Sequence, residues 1–181
     1  TFDYTSPSVT SVLVPASATY GAGDPLEFTV NFNEAVTVDT TNGTPSLPLT
    51  LDNGGTVQAA YVSGSGGTAL IFSYTVVAGN ADADGIAMNG PLSFNGGTIR
   101  DTAGNAAATT LNAVGATAGI LVDALAPAVT GIVRVGSELT NATSVVYAVT
   151  FSDSVTGVDA SDFTLVASGG VTASIGAVSG S

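Results

Sequence analysis

Chemistry in this chain rests with its carboxylates. Fourteen Asp and Glu stand against two Arg in 181 residues, with no His or Cys, and the formal net charge is −12. There is no Lys either, since the two cations are Arg100 and Arg134. That inventory removes most catalytic chemistry at once. Thiolate and imidazole nucleophiles, Ser–His–Asp relays, lysine Schiff bases and thiolate or imidazole zinc sites all lack a required residue. A Lys–Asn isopeptide cross-link is excluded for the same reason. Two arginines cannot neutralise a phosphate backbone, so nucleic acid is not expected as a partner. Anionic headgroups are equally disfavoured. What remains for the acids is oxygen ligation. Carboxylates gathered without cationic side chains repel one another unless a hard cation sits among them, and roughly six to eight such oxygens suit Ca²⁺.

The densest acidic motif is Asn80-x-Asp82-x-Asp84-Gly85. It begins like an EF-hand loop, but a loop of about twelve residues puts the bidentate acid at Pro91, and flanking helical periodicity is missing; an EF-hand is rejected. Asp24 before Pro25, and Asp52 before Asn53-Gly54, read as turn residues, and Asp159 and Asp162 as turn or capping residues. Tyr61 and Tyr74 alternate with core residues and read as packing. Asn42-Gly43-Thr44 and Asn141-Ala142-Thr143 fit the glycosylation sequon, a motif common by chance. A two-carboxylate hydrolase needs its acids ~5–9.5 Å apart across a cleft. Acids in loops at the end of a sandwich offer none, so no enzyme is expected.

The elements that must position these acids are strands, and they come as a tandem repeat. Asp3-x-x-x-Pro7-x-Val9-Thr10 recurs 120 residues later as Asp123-x-x-x-Pro127-x-Val129-Thr130. Leu26, Phe28, Val30, Phe32, Glu34 and Val36 match Val145, Tyr147, Val149, Phe151, Asp153 and Val155 at a spacing of 119, and Val38-Asp39 matches Val158-Asp159. The repeat predicts a complete module over residues 1–126 and the N-terminal part of a second over 127–181. A short stiff linker near Asp123 to Pro127 is expected between them. Hydrophobic residues make up 45% of the chain and charged residues only 9%, against a typical value of roughly 25%, so polarity comes from Thr, Ser, Asn and Gly, which suits strands and turns. No apolar run approaches the ~18 residues of a membrane span, and no basic-then-apolar signal segment opens the chain. Membrane insertion is not expected.

Leu26 to Phe32 alternates without a fault. Leu47, Leu49 and Leu51 alternate too, with Pro48 pushing that strand to a sheet edge. Asp52-Asn53-Gly54-Gly55 predicts a hairpin to a strand over Val57 to Val62. Leu70 to Val76 gives the next core face. Shorter strands are expected near Val9 to Val14, Leu92 to Ile99 and Ala118 to Val122. The second copy supplies Val129 to Arg134, Val145 to Phe151, Phe163 to Val166 and Val171 to Val178. About seven short antiparallel strands with Gly- and Asn-rich turns predict an all-β fold of tandem immunoglobulin-like β-sandwiches, the second incomplete.

Strand alternation then predicts where the acids meet. Glu34, Asp101 and Asn105 fall at the N-terminal pole beside Asp3, and Asp82, Asp84 and Asp123 at the other. Asp153 corresponds to Glu34, so Asp82, Asp84, Asp123 and Asp153 are expected to converge on a module junction holding Ca²⁺. The last module stops short, which predicts either a parent chain that continues or a neighbouring copy that donates strands.

The ordered motifs Gly43-Thr44-Pro45-Ser46-Leu47, Ala60 to Gly66, Phe72-Ser73-Tyr74-Thr75-Val76, Asp82-Ala83-Asp84-Gly85-Ile86, Asn95 to Asp101, Gly104-Asn105-Ala106 and Asp123 with Pro127 carry a family likeness. Residues 1–126 resemble the bacterial Ig-like repeats of large surface and secreted proteins, including RTX-type adhesins and a repeat of a cyanobacterial swimming-motility surface protein. Val149-Thr150-Phe151-Ser152-Asp153, with Val155 to Asp159 and Asp162-Phe163, resembles a sister repeat. The resemblance implies a calcium-rigidified stalk or filament outside the cell, with neighbouring Ig-like modules as partners. A carbohydrate-binding β-sandwich is the alternative, and it requires exposed aromatics together on one sheet face.

Overall fold

The computed structural model describes residues 2–137, 142–169 and 172–180. The chain is all-β and divides into two compact units, Thr1–Leu125 and Ala126–Ser181. Unit 1 holds β1 (Val9–Leu13), β2 (Ala18–Tyr20), β3 (Pro25–Phe32), β4 (Thr37–Asp39), β5 (Ser46–Leu51), β6 (Gly55–Ser63), β7 (Ala69–Thr75), β8 (Ala81–Asp82), β9 (Thr98–Arg100) and β10 (Ile120–Asp123). A five-stranded sheet runs β1-β3-β7-β6-β5, with smaller sheets β2-β10-β8 and β4-β9. All named pairs are antiparallel except β10 with β2.

The period-two pattern of β3 decides the core. Leu26, Phe28, Val30 and Phe32 are buried, and Leu70 and Phe72 of β7 lie beside them in register. Leu47, Leu49, Ile99, Ile120 and Val122 close the same cluster from the other strands, in the manner of a β-sandwich. Tyr61 packs its ring edge-on to Phe72 at 5.9 Å between centroids. Pro48 sits in β5 at the end of the sheet, where a missing N–H costs no ladder bond. The outer edges are covered by irregular chain. Single antiparallel bridges tie β5 and its turn to Ala81, Ala87 and Ser93, and Val12 of β1 bonds to Ala113 and Gly115. Such coverage blocks edge-to-edge association.

Unit 2 contains β11 (Val129–Val135) and β12 (Val146–Phe151) as an antiparallel pair. It repeats the β1–β3 pairing of unit 1 in detail. Val9 pairs with Phe32 and the register slips before Ser11 meets Asn31; Val129 pairs with Phe151 and slips before Gly131 meets Thr150. Thr10 Oγ1 donates to Asn31 O at 3.1 Å, and Thr130 Oγ1 to Thr150 O at 3.1 Å. Asp39 accepts from Thr41 N and Oγ1, and Asp159 accepts from Ser161 N and Oγ in the same two-residue loop. Asp3 and Asp123 likewise each accept the N–H two residues ahead.

Two expected strands of unit 2 are absent. Phe163 to Val166 and residues 172–178 form no strand, and a 3₁₀ turn at Ala160–Asp162, boxed by Asp159 and Asp162, precedes them. β-propensity alone does not make a strand; a facing ladder does, and none is offered among the described residues. In unit 1 the strand expected over Leu92 to Ile99 shrinks to β9, because Phe94 to Gly97 makes a tight turn. The sequon at Asn141 and the start of the segment at Val171 lie outside the described residues.

The matched loops make a pH prediction. The Thr41 hydroxyl, then its N–H, holds the Asp39 carboxyl below the usual carboxylate range, and Ser161 does the same for Asp159. A lowered folded value means that this stabilisation is present above the ordinary carboxylate pKa and is lost as pH falls through the folded one. Thr41→Val and Ser161→Ala should each raise the titration midpoint of its own partner, read by carboxyl ¹³C NMR. Unchanged midpoints would show that the hydroxyls do not set them.

Candidate metal centres

Pairing parity fixes the two ends of unit 1. β3 is antiparallel to β7, β7 to β6 and β6 to β5, so the end of β3 and the end of β5 lie at opposite poles. Glu34 follows the first and Asp52 the second.

At the first pole Asp3, Glu34 and Asp101 come together, each offering an oxygen within 4.8 Å of the others. Asn33 N bonds to Ser8 O and Ala108 N to Pro7 O, which seats the N-terminal segment there. Asn105 ties the turn after β9 to that segment: its amide nitrogen donates to Asp101 Oδ2 at 2.8 Å and to Asp3 O at 3.2 Å, and its N–H donates to Asp101 Oδ1 at 2.8 Å. Asp101 is buried. Burial raises its carboxyl, but hydrogen bonds from Asn105, Gly104 and Ala103 outweigh that and hold it below the usual range, ionised.

At the other pole Asp52, Asp82 and Asp84 gather under the same 4.8 Å limit. β8 brings this about, because it pairs with β10 while its Ala81 also bonds to the hairpin turn. Asp82 and Ala81 pair with Val122 and Asp123 of β10, while Ala81 also exchanges both backbone bonds with Asn53 in the hairpin turn. The turn is thereby clamped to the acidic loop. Asp82 is buried, accepting from Gly85 N at 2.7 Å and Asp52 N at 3.3 Å. Gly85 has φ +106°, and a Cβ there would stand 2.4 Å from Ala118 Cα, so only glycine lets the loop approach.

The structure departs from the sequence reading at Asp52 and at Asp123. Asp52 is more than a turn residue: it completes the second group. Asn80 is a scaffold, its Oδ1 accepting from Tyr74 Oη at 2.6 Å and Val77 N at 3.1 Å. Asp123 stands outside both groups and accepts the Leu125 N–H. Asp153 belongs to unit 2, where Ser152 Oγ donates to it at 2.6 Å. Asp24, Asp159 and Asp162 serve a turn and a cap.

Both groups fit an oxygen-liganded cation. Two oxygens each ~2.4 Å from a shared Ca²⁺ stand at most about 4.8 Å apart, the limit that both groups meet. A shallow depression of about 440 Å³ beside Asp84 is lined by Ile86, Met88 and Val114 among others and by no aromatic ring. Phe2 and Tyr4 are exposed together, 6.2 Å apart, on the N-terminal segment and not on a sheet face. No helix among the described residues is long and apolar enough to cross a membrane. Searches of protein-family models, curated proteins and solved structures find no match to this chain.

Asn80 should be the structural key to the second pole. Asn80→Ala leaves the Tyr74 hydroxyl and the Val77 N–H without an acceptor, which costs about 1–3 kcal/mol. Urea unfolding monitored by tyrosine fluorescence tests this; a change within about 0.5 kcal/mol would contradict the assigned role.

Proposed function

We propose that the chain is a non-catalytic stalk segment of a large bacterial surface or secreted protein. It comprises one complete Ig-like module and part of a second, and Ca²⁺ stiffens the module ends. The observation that carries this reading is the pair of three-carboxylate groups at opposite poles of one sandwich, each with carboxylates held by backbone N–H donors. Ligands anchored on strand ends and clamped turns are preorganised, so binding loses little conformational freedom. The repeated register of the second unit supports a modular design. Three carboxylates supply only part of a Ca²⁺ shell, leaving room for water or a backbone carbonyl.

Isothermal titration of the full chain tests this. Two Ca²⁺ ions per chain are expected, with Asp101→Asn removing one and Asp82→Asn the other. Circular dichroism shows whether each variant is still folded. At a free concentration about a hundredfold above Kd the ion contributes about 2.7 kcal/mol. No heat in millimolar Ca²⁺, or heat that ignores both substitutions, would contradict the assignment.

A further inference from the structure

Unit 2 presents a surface that unit 1 buries. Phe28 is 0% exposed and its match Tyr147 is 56% exposed; Val12 is 1% exposed and Ile132 62%. Leu26 is buried, whereas Val145 is exposed. The cause lies in the ladder. In unit 1, β3 sits between β1 and β7, pairing with β7 from Pro25↔Thr75 to Asn31↔Ala69. In unit 2, β12 has β11 in the place of β1, with the same register slip, and no strand on its other edge among the described residues. Val146 to Phe151 contains no charge, no Pro and no Gly to discourage pairing. A two-stranded ribbon by itself is marginal in water.

We propose that the open edge of β12 accepts an antiparallel partner strand with the chemistry of β7, uncharged and apolar at alternate positions. The interface made by the same surface in unit 1 specifies this occupant. There Leu26, Phe28 and Val30 face Tyr74, Phe72 and Leu70. The 119-residue match carries these pairs over, so Val145, Tyr147 and Val149 face the positions of Tyr74, Phe72 and Leu70 in the incoming strand. Neither strand carries a charge, so no like-charge pair opposes the seating. Backbone bonds along β12 supply affinity, and the alternate apolar pairs supply register. This inference rests on the repeat and the ladder, and it stands whether or not the poles bind calcium.

The test titrates a synthetic peptide of residues 69–75, Ala-Leu-Ile-Phe-Ser-Tyr-Thr, against the full chain, followed by amide exchange. Saturable one-to-one binding is expected, with slowed exchange at the β12 amides that do not face β11 and with the peptide's Phe beside Tyr147. The peptide carrying Phe72→Asp should bind at least about tenfold more weakly, because its carboxylate would be seated against apolar side chains. That change lies in the peptide, so folding of the chain is untouched. Absence of binding at millimolar peptide, indifference to Phe72→Asp, or protection outside β12 would overturn the proposal. So would sedimentation showing a dimer that closes the β12 edge to the peptide, since a second copy would then be the occupant.

Discussion

Burial of the alternate face of β3 is the constraint on which the rest depends. Once Leu26, Phe28, Val30 and Phe32 enter the core, strand direction and register on both sides are set, because a slip of one residue would turn every one of them to solvent. The ends of the strands then fall at two defined poles, and the loops carrying acids have nowhere else to go. Function, in this reading, is a consequence of where a hydrophobic alternation stops.

The poles pose an electrostatic problem. Like charges about 4 Å apart repel by about 1 kcal/mol even in bulk water, and more where solvent is partly excluded. Asp82 and Asp101 are both buried side chains in such groups. The chain answers with backbone and amide donors, from Gly85 and Asp52 around Asp82 and from Asn105 around Asp101. Those donors orient both carboxylates, and around Asp101 they also hold the carboxyl below its usual range; an oriented, ionised carboxylate is what a hard cation requires. Among the described residues no buried side-chain nitrogen or oxygen lacks a hydrogen-bond partner.

Local signals were readable in the sequence and distant ones were not. β3 follows from its alternation, the edge place of β5 from Pro48, and the β5–β6 hairpin from Asn53-Gly54. Strand alternation put Glu34 and Asp101 at one pole with Asp3, but their meeting is made by remote bonds, from Asn33 to Ser8, Ala108 to Pro7 and Asn105 to Asp3. β2, β4 and β8 have two or three residues each and exist only through remote partners, as when Tyr20 pairs with Val122, so no window of sequence reveals them. Asp52 was hidden for a related reason. Its turn chemistry is complete locally, and only the bridge from Asn53 to Ala81 places it beside Asp82. In unit 2 the error ran the other way, since apolar segments that resemble strands stay irregular where no ladder receives them.

The central claim is that the sandwich holds its polar carboxylates for a specific divalent ion and does not merely tolerate their repulsion. Thermal unfolding of the full chain, in millimolar CaCl₂ and in NaCl of matched ionic strength, separates the two most directly. Site binding predicts that calcium raises the unfolding temperature of unit 1 by several degrees, that NaCl does not, and that excess chelator reverses the gain. An equal rise in NaCl would mean that the acids are only screened, and the account of the poles as metal centres would be wrong.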